Sequence, residues 1–251
     1  PMIVSILDWG GGEKNNTQGV SQEIMYNGAY EQDLINLSLM ALEHRKNDKG
    51  PGVLALDCGA NVGVYTIEFG KHMRGWGDVI SFEPQSRIFY ALAGNVAINN
   101  LFNAYPIYAA VGDREGVIKV PDIDYSKNSN YWGLSLKHQG HSIGQPIPEN
   151  HTDVRILTID SMNLPRVDFI KADVEGMELE ILNGALNTVK RDQPYIMVEW
   201  TLTGRDVIEK YMELIDYETV RCNINLMCGP KGNPVVNEIR KFKALNNVVD
   251  N

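Results

Sequence analysis

Three carboxylates lie close together in the segment FIKADVEGME at positions 169–178. They are Asp173, Glu175 and Glu178, and they come directly after an apolar run. Carboxylates with this spacing can ligate a metal ion, exchange a proton with a substrate, or accept hydrogen bonds from the free N–H groups at a helix start. Which chemistry applies depends on the secondary-structure element that each side chain occupies.

Short apolar runs alternate with helical periodicity from about residue 29 onward. Apolar runs of this kind predict an α/β fold, a parallel sheet that is covered by helices on both faces. The predicted strands are 53–57, 78–84, 107–113, 167–173 and 194–200. The predicted helices are 30–42, 63–72, 86–100, 176–190 and 205–215. We expect a single domain over 1–251, beginning with an N-terminal segment and helix over 1–50.

Acidic residues mark the carboxyl ends of these predicted strands: Asp57, Glu83, Asp113, Asp173 and Glu199. Ligands of open α/β sheets bind outside those strand ends, so an acidic rim predicts a binding site. At this position Asp173 can orient a substrate hydroxyl or accept its proton. A structural role is the alternative, in which Asp173 caps the next helix or pairs with Lys171.

The helix after Asp173 can be analysed by angle, at about 100° per residue. Glu178 falls in the centre of its apolar stripe, whereas Glu180 points to the solvent side. Burial of an unpaired carboxylate is costly, but the free N–H groups of a first helical turn can offset that cost. We therefore expect Glu175 and Glu178 to brace the turn that directs Asp173. Contact with an acceptor or a cofactor is the alternative.

The segment LDCGANVG, at 56–63, joins a predicted strand to a helix. Gly59 permits the sharp turn, and Gly63 permits close packing at the helix start. The spacing G-x-x-x-G differs from the G-x-G-x-x-G of a dinucleotide loop, and Asp57 would repel a pyrophosphate. An acid here suits a ligand with an ammonium and a sulfonium group, such as S-adenosylmethionine. Glu83, at the next strand end, is placed to hold ribose hydroxyls.

Several longer blocks carry a family resemblance over roughly residues 53–200. LDCGANVGVYT, VISFEPQSRIFYALAGNVAINN, AAVGDREG and VDFIKADVEGMELEILNGA occur in that order. Together they resemble the FkbM-type methyltransferase family, whose most distinctive block is DVEGMELEILNGA. The resemblance implies a class I methyltransferase (Rossmann-like) fold with a seven-stranded, mostly parallel sheet. It also implies bound S-adenosylmethionine and, usually, O-methylation of a sugar or secondary-metabolite hydroxyl.

The same resemblance implies roles for individual residues. The expected cofactor contacts are Asp57, Gly59, Asn61, Gly63 and Glu83, with Gly112 and Asp113 near the adenine. Tyr30 and Glu31 are expected to close over the methionine end. The segment NNVVD, at 246–250, is similar to the last strand of the family.

The segment 121–151 is polar and too long for an ordinary connection. We expect an inserted arm or lid loop that contacts the substrate and carries Trp132, His138 and His141. Its flanks, 116–120 and 154–160, are predicted to pair as antiparallel strands. Asp173 is the first candidate for a general base, and His138 or His141 is the second.

A metal site is not predicted. Asp173 and Glu199 could supply two oxygen ligands, but no adjacent Asp-Asn pair follows the fifth strand, where the sequence is Glu199-Trp200-Thr201.

Charge and composition restrict the function classes. A net charge of −9 disfavours a broad nucleic-acid surface. No apolar run reaches the roughly 18 residues of a membrane span, and the first residues lack the basic region of a secretion signal. Three cysteines without a CxxC motif predict a reduced, cytoplasmic protein.

The family resemblance implies a small-molecule or glycan hydroxyl acceptor as the partner. The alternatives are a nucleic-acid or protein methyltransferase of the same fold, or a non-catalytic nucleotide-binding domain. A nicotinamide dehydrogenase is disfavoured by the glycine spacing.

Overall fold

The described part of the chain contains ten strands, eight α-helices and one short 3-10 helix at Asp160–Met162. The computed structural model describes residues 1–8, 20–137, 143 and 145–245. The strands are β1 Val53–Cys58, β2 Gly77–Phe82, β3 Ala104–Ile107, β4 Ala110–Val111, β5 Gly116–Pro121, β6 His151–Leu157, β7 Phe169–Ala172, β8 Tyr195–Glu199, β9 Tyr217–Cys222 and β10 Asn225–Pro230. The helices are α1 Val20–Asn27, α2 Gln32–Lys49, α3 Val64–His72, α4 Ser86–Ile98, α5 Glu178–Asn183, α6 Leu186–Asp192, α7 Arg205–Leu214 and α8 Pro234–Leu245.

The central sheet has seven strands in the order β3-β2-β1-β7-β8-β10-β9. The first five strands in this order are mutually parallel, namely β3, β2, β1, β7 and β8. The strand β10 runs antiparallel to both of its neighbours, β8 and β9. This arrangement confirms the predicted α/β fold with a mostly parallel sheet. The reversal of the chain order at β1 and β7 leaves a crevice at the carboxyl ends of these two strands, which is where such sheets bind ligands.

Helices cover both faces of this sheet, as predicted. Ala55, Phe169 and Met197 pack into one buried cluster with residues of α2, α3 and α8. Their strand neighbours Leu56, Ile170 and Val198 pack on the opposite face with residues of α5, α6 and α7. Successive side chains of a strand point to opposite faces, so a strand covered on both sides is apolar throughout.

The predicted third strand, 107–113, is wrong as a single element. The strand that pairs with β2 is β3, with Val79 opposite Ala104 and Phe82 opposite Ile107. After a turn at Tyr108 the chain leaves the sheet, and β4 joins a second sheet of order β4-β6-β5. The apolar run AYPIYAAV is continuous, so hydrophobicity alone does not reveal the point of exit.

The predicted helix 176–190 is interrupted at Gly184. A Cβ atom at Gly184 would lie 2.0 Å from the carbonyl oxygen of Gly112, so the backbone of the loop after β4 occupies the space of a side chain. The second segment, α6, begins with its own cap from outside the helix. The carboxylate of Asp160 accepts hydrogen bonds from Asn187 N at 3.0 Å and Thr188 N at 2.8 Å.

The described part of the predicted arm packs against the domain. Its flanking strands β5 and β6 pair antiparallel, as predicted, with Gly116 opposite Ile156 and Pro121 opposite His151. Four apolar residues of the segment are buried with Val62 and Ile88. These buried residues are Ile123, Tyr131, Leu134 and Ile143.

The first residues of the chain also contact this arm, because Ser129 N donates a hydrogen bond to Leu7 O at 3.1 Å. The predicted last strand, 246–250, lies outside the described residues. Within the described ranges no helix is both long enough and apolar enough to cross a membrane.

Candidate active site

A cavity of about 430 Å³ opens at the carboxyl edge of the central sheet. Its wall comes from the loop after β1, the ends of β2, β7 and β8, the residues before α2, and the arm. The volume is in the range of sites for nucleoside-sized ligands. The lining includes these predicted site residues: Tyr30, Glu31, Gly59, Asn61, Glu83, Trp132, Asp173, Glu175 and Glu199.

The glycine loop is shaped by a close approach of two strand ends. Gly59 has φ +78°, and a Cβ atom there would lie 1.8 Å from the carbonyl oxygen of Asp173. Only glycine therefore lets the end of β1 pass so near the end of β7. Gly59 and Asn61 line the cavity. Gly63 has φ +91° and faces the Leu92 side chain behind the wall.

Asp57 lies beneath this loop and is not among the described lining residues. It is fully buried. Its carboxylate accepts a hydrogen bond from Thr66 Oγ1 at 2.6 Å and lies 3.5 Å from Lys171 Nζ. In this structure Asp57 therefore acts on the cavity through Lys171.

Lys171 is a central charge that sequence reasoning treated only as a partner for Asp173. It is 3% exposed, its Nζ lies 3.2 Å from Asp173 Oδ2, and it donates a hydrogen bond to Gly59 O at 3.3 Å. Burial by itself would lower the pKa of Lys171, but the Asp173 and Asp57 carboxylates offset this and raise the pKa above its usual range. The only signal in the sequence is a charge inside the apolar strand FIKA.

Glu83, at the end of β2, is 4% exposed. It accepts hydrogen bonds from Asn61 N at 3.1 Å and Gln85 N at 2.8 Å. A carboxylate has about four acceptor positions, so Glu83 keeps the capacity to accept further hydrogen bonds. Burial raises the pKa of Glu83 to about 7, although the two backbone N–H donors oppose this increase.

Tyr30 and Glu31 form the wall at the start of α2. The backbone of Glu31 has φ +46°, in the left-handed region that residues with a Cβ atom rarely adopt. The Tyr65 hydroxyl donates a hydrogen bond to Glu31 Oε2 at 2.8 Å and holds the carboxylate in place. Burial, and then the negative charge of Asp173, raise the pKa of Glu31 to about 7.

Asp173, Glu175 and Glu199 converge on one point of the cavity. One carboxylate oxygen from each lies within 4.8 Å of the others. Asp173 and Glu199 meet because they follow neighbouring residues of a parallel pair, Ala172 and Val198. Burial, and then the charge of Asp173, raise the pKa of Glu175 to about 8 and also raise the pKa of Glu199.

Glu178 lies outside the described cavity wall and stabilises the turn behind it. It is 1% exposed, and its Oε1 accepts hydrogen bonds from Val174 N at 3.1 Å and Gly176 N at 3.0 Å. Thr203 Oγ1 donates to the other carboxylate oxygen. These hydrogen bonds hold the backbone of the turn 174–176. Glu180 is not the simple surface charge that its helical angle predicted, because it pairs with Lys137 at 2.7 Å and is only 23% exposed.

The arm supplies the outer wall through Asn130, Trp132, Gly133, Leu134 and Leu136. It is tied to the turn after β7, since Ser135 Oγ donates a hydrogen bond to the backbone carbonyl oxygen of Glu175 at 2.6 Å. It is also tied to the end of β2, since Gln85 Nε2 donates to Tyr131 O at 3.1 Å. The predicted bases His138 and His141 lie outside the described residues.

Gly112 and Asp113 do not reach the described wall. Gly112 packs against the Ile156 and Met177 side chains, and Asp113 is exposed. Both residues come directly after β4, which belongs to the second sheet. The chain therefore turns away from the cavity just before them. Their predecessors Ala109, Ala110 and Val111 do line it.

The charges, hydrogen-bond acceptors and apolar residues of the cavity lining fit S-adenosylmethionine. Among the described lining residues five are acidic (Glu31, Glu83, Asp173, Glu175 and Glu199) and one is basic (Lys171). An acidic cavity favours a ligand that carries ammonium and sulfonium charges. Glu83 offers acceptors for ribose hydroxyls, and Phe82 with Ala109–Val111 offers an apolar wall for a nucleobase.

Comparison with known proteins agrees with this fit, because the chain is similar to methyltransferases. A family model described as the methyltransferase FkbM domain matches residues 57–223. Methyltransferase 1 of Beauveria bassiana (strain ARSEF 2860) is 25% identical over 143 residues, which are 51% of this chain and 57% of that protein. This chain therefore spans little more than half the length of that relative.

Solved structures share the fold. Methyltransferase FkbM from Methylobacillus flagellatus KT has a TM-score of 0.51 at 16% identity, covering 71% of this chain and 43% of that one. Monomeric WbdD has a TM-score of 0.51 at 10% identity, covering 84% of this chain and 44% of that one.

Proposed function

The chain belongs to the FkbM methyltransferase family, and we propose that it methylates a hydroxyl group of a sugar, a glycan or a small metabolite. The methyl donor is S-adenosylmethionine, which the family uses. The observation that carries the hydroxyl assignment is the position of Asp173. This carboxylate is 36% exposed, lines the cavity beside the glycine loop, and is held by Lys171 at 3.2 Å.

The residues of the chain divide the work between holding the donor and orienting the acceptor. When bound, S-adenosylmethionine supplies a methyl group on a positively charged sulfur. Gly59 and Asn61 would form the floor of the donor site, and Glu83 would accept hydrogen bonds from the ribose hydroxyls. Tyr30 and Glu31 would close the methionine end, where the Tyr65 hydroxyl holds Glu31.

Asp173 then orients the acceptor hydroxyl and accepts its proton. The methyl donor is already activated, so alignment of the attacking oxygen and exclusion of water account for most of the acceleration. Lys171 holds Asp173 at the wall. Glu178 acts indirectly, by fixing the turn 174–176 that follows Asp173.

The charge of the wall supports an uncharged, hydroxylated acceptor. The acidic lining would repel the phosphates of a nucleic acid. The half-buried Trp132 offers a flat aromatic surface at the outer wall, where a sugar ring can pack.

Release of S-adenosylhomocysteine with a panel of acceptors tests the proposal. The panel contains hydroxylated sugars and glycans, small hydroxylated metabolites, amines, an RNA and a protein. We expect turnover with at least one hydroxyl acceptor and the new methyl group on oxygen, measured by mass spectrometry. Turnover confined to an amine, the RNA or the protein would contradict the assignment.

The role of Asp173 is tested by Asp173→Asn, which removes the charge and keeps the size. We expect kcat to fall by roughly 10²–10⁴-fold, the usual contribution of a general base. The affinity for S-adenosylmethionine, measured by calorimetry, should change little. Glu213→Gln, which removes an exposed acid of α7, is the matched control. Full turnover by Asp173→Asn would exclude Asp173 as the base.

A further inference from the structure

Three carboxylates in the cavity have the convergence that a bound cation requires. One oxygen each from Asp173, Glu175 and Glu199 lies within 4.8 Å of the others. Calcium–oxygen distances of about 2.4 Å place opposite ligands about 5 Å apart, and magnesium places them about 4 Å apart. These oxygens can therefore contact one ion with small side-chain adjustments.

The side chain of Asn225 is a second, independent sign of a ligand at this place. Asn225 lies on β10 directly opposite Glu199 and lines the same cavity. Directly opposed residues of antiparallel strands place their side chains on the same face. Asn225 is 3% exposed, and its Oδ1 is buried without a hydrogen-bond partner among the described residues. A buried acceptor without a partner is unfavourable, and a bound ligand would satisfy it.

The charges around the cluster leave room for a cation. Lys171 is already engaged by Asp57 and Asp173. Within the described ranges neither Glu175 nor Glu199 forms an ion pair, although Thr201 Oγ1 donates a hydrogen bond to Glu199 at 2.5 Å. Glu175 is held toward the cavity with φ +54°, a left-handed conformation that costs energy in a residue with a Cβ.

We propose that Asp173, Glu175, Glu199 and Asn225 bind one hard divalent cation, of the Mg²⁺, Mn²⁺ or Ca²⁺ class. Three carboxylates and an amide oxygen are the ligands that these cations prefer, and the absence of sulfur and imidazole from this set disfavours zinc and copper. The sequence did not predict a metal site, although Asp173 and Glu199 could supply two oxygen ligands. Glu175 from the turn and Asn225 from the neighbouring strand β10 complete the set. The role of the cation rests on the proposed function: it would hold the acceptor oxygen beside Asp173.

Direct titration with MnCl₂ tests the site without cofactor or acceptor. Electron paramagnetic resonance, which measures free Mn²⁺, should show one saturable Mn²⁺ site per chain. Excess Mg²⁺ or Ca²⁺ should displace Mn²⁺ from this site. Glu175→Gln and Glu199→Gln should each weaken Mn²⁺ binding about 10-fold or more. Glu213→Gln, which removes the same charge from the exposed face of α7, should leave it unchanged.

Asn225 provides a test that a purely structural role would not pass. Asn225→Asp adds a charged ligand and should strengthen Mn²⁺ binding, whereas Asn225→Leu should weaken it. Circular dichroism checks that each variant is folded. Absence of saturable Mn²⁺ binding by the folded wild-type chain would overturn the proposal, as would equal affinity in all cluster variants.

The two proposals fail separately. Mn²⁺ binding without turnover on any hydroxyl acceptor would contradict the proposed function and leave the cation site standing. Turnover that is independent of divalent cations, in a chain that binds no Mn²⁺, would remove the cation site and leave the methyl transfer standing.

Discussion

Acidic residues of this chain have different tasks although many follow strand ends in the same way. Asp57 is buried under the loop and pairs with Lys171. Glu178 accepts backbone hydrogen bonds in a turn, and Asp113 is exposed outside the cavity. Asp173, Glu175 and Glu199 share the cavity. Residue type and position predict that a carboxylate is near the rim, but its contacts decide its role.

Glu83 should make cofactor binding depend on pH. Its pKa is raised to about 7, with burial as the main cause, Lys171 opposing the increase and Asp57 adding to it. In the free protein this raised pKa favours folding below the ordinary carboxyl pKa, and that contribution is lost as pH rises through about 7. In the proposed role, ribose hydroxyls would donate hydrogen bonds to the ionised form of Glu83, so cofactor affinity should increase over the same range.

Calorimetry with S-adenosylmethionine between pH 5.5 and 8.5 measures this dependence. Glu83→Gln should weaken binding and reduce the slope. A remaining slope is expected from Glu31, whose pKa is also raised to about 7. An affinity of the wild-type chain that is flat over this range would contradict the assigned role of Glu83.

At the scale of elements, backbone approaches determine where helices and turns end. The sequence 176–190 has continuous helical periodicity, yet the helix breaks where Gly112 O occupies the side-chain position of Gly184. Similarly, the end of β1 passes the end of β7 at Gly59. Periodicity reports which face is buried, but it contains no information about a segment that crosses from elsewhere in the chain.

Gly184→Ala tests this account of the helix break. A Cβ atom 2.0 Å from a backbone oxygen cannot be accommodated by a rotamer change, so we expect a loss of about 2 kcal/mol or more in the free energy of unfolding. Gly94→Ala is the control, because its Cβ would meet only the Ile3 side chain, at 2.7 Å. In the middle of α4 the alanine should be neutral or stabilising by up to about 1 kcal/mol. Equal effects in urea unfolding would refute the explanation.

At the scale of the whole molecule, a buried ion pair lies far from the cavity. Arg45 of α2 is 2% exposed, and its Nε lies 3.2 Å from Asp168 Oδ1. Its guanidinium also donates hydrogen bonds to Asp192 O at 2.7 Å and Gln193 O at 3.0 Å. Asp168 precedes β7, so this network is at the amino edge of the sheet, opposite the cavity. Arg45 is about 20 Å along the helix from Glu31.

Arg45→Leu should therefore reduce stability without affecting the site. Removing one partner of a buried ion pair costs about 3–5 kcal/mol, and the low end applies because Arg166 also pairs with Asp168. Urea unfolding measures this loss, and S-adenosylmethionine affinity of the folded variant should stay within about two-fold. Arg240→Leu, which breaks an exposed pair with Glu218, should cost less than about 1 kcal/mol. A loss of cofactor affinity in folded Arg45→Leu that is as large in free energy as its loss of stability would contradict the separation of this ion pair from the cavity.

The amino-acid sequence by itself determined the α/β fold, the glycine loop and the carboxylates after the strands. These features depend on local periodicity and on the rule that parallel strands end at one edge of the sheet. The predicted family was confirmed by the match over residues 57–223. The carboxyl ends of β1, β2, β7 and β8 could be predicted because each of these strands is a buried apolar run that ends near an acidic residue.

Only the tertiary structure decided how these parts meet. It brought Glu175 and Asn225 to Asp173 and Glu199, buried Lys171 between two carboxylates, and packed the described part of the arm against the cavity. It also divided the third predicted strand between two sheets. The physical reason is common to all of them. Each depends on distances of a few ångströms between residues far apart in the chain, and those distances are set by packing and not by local sequence pattern.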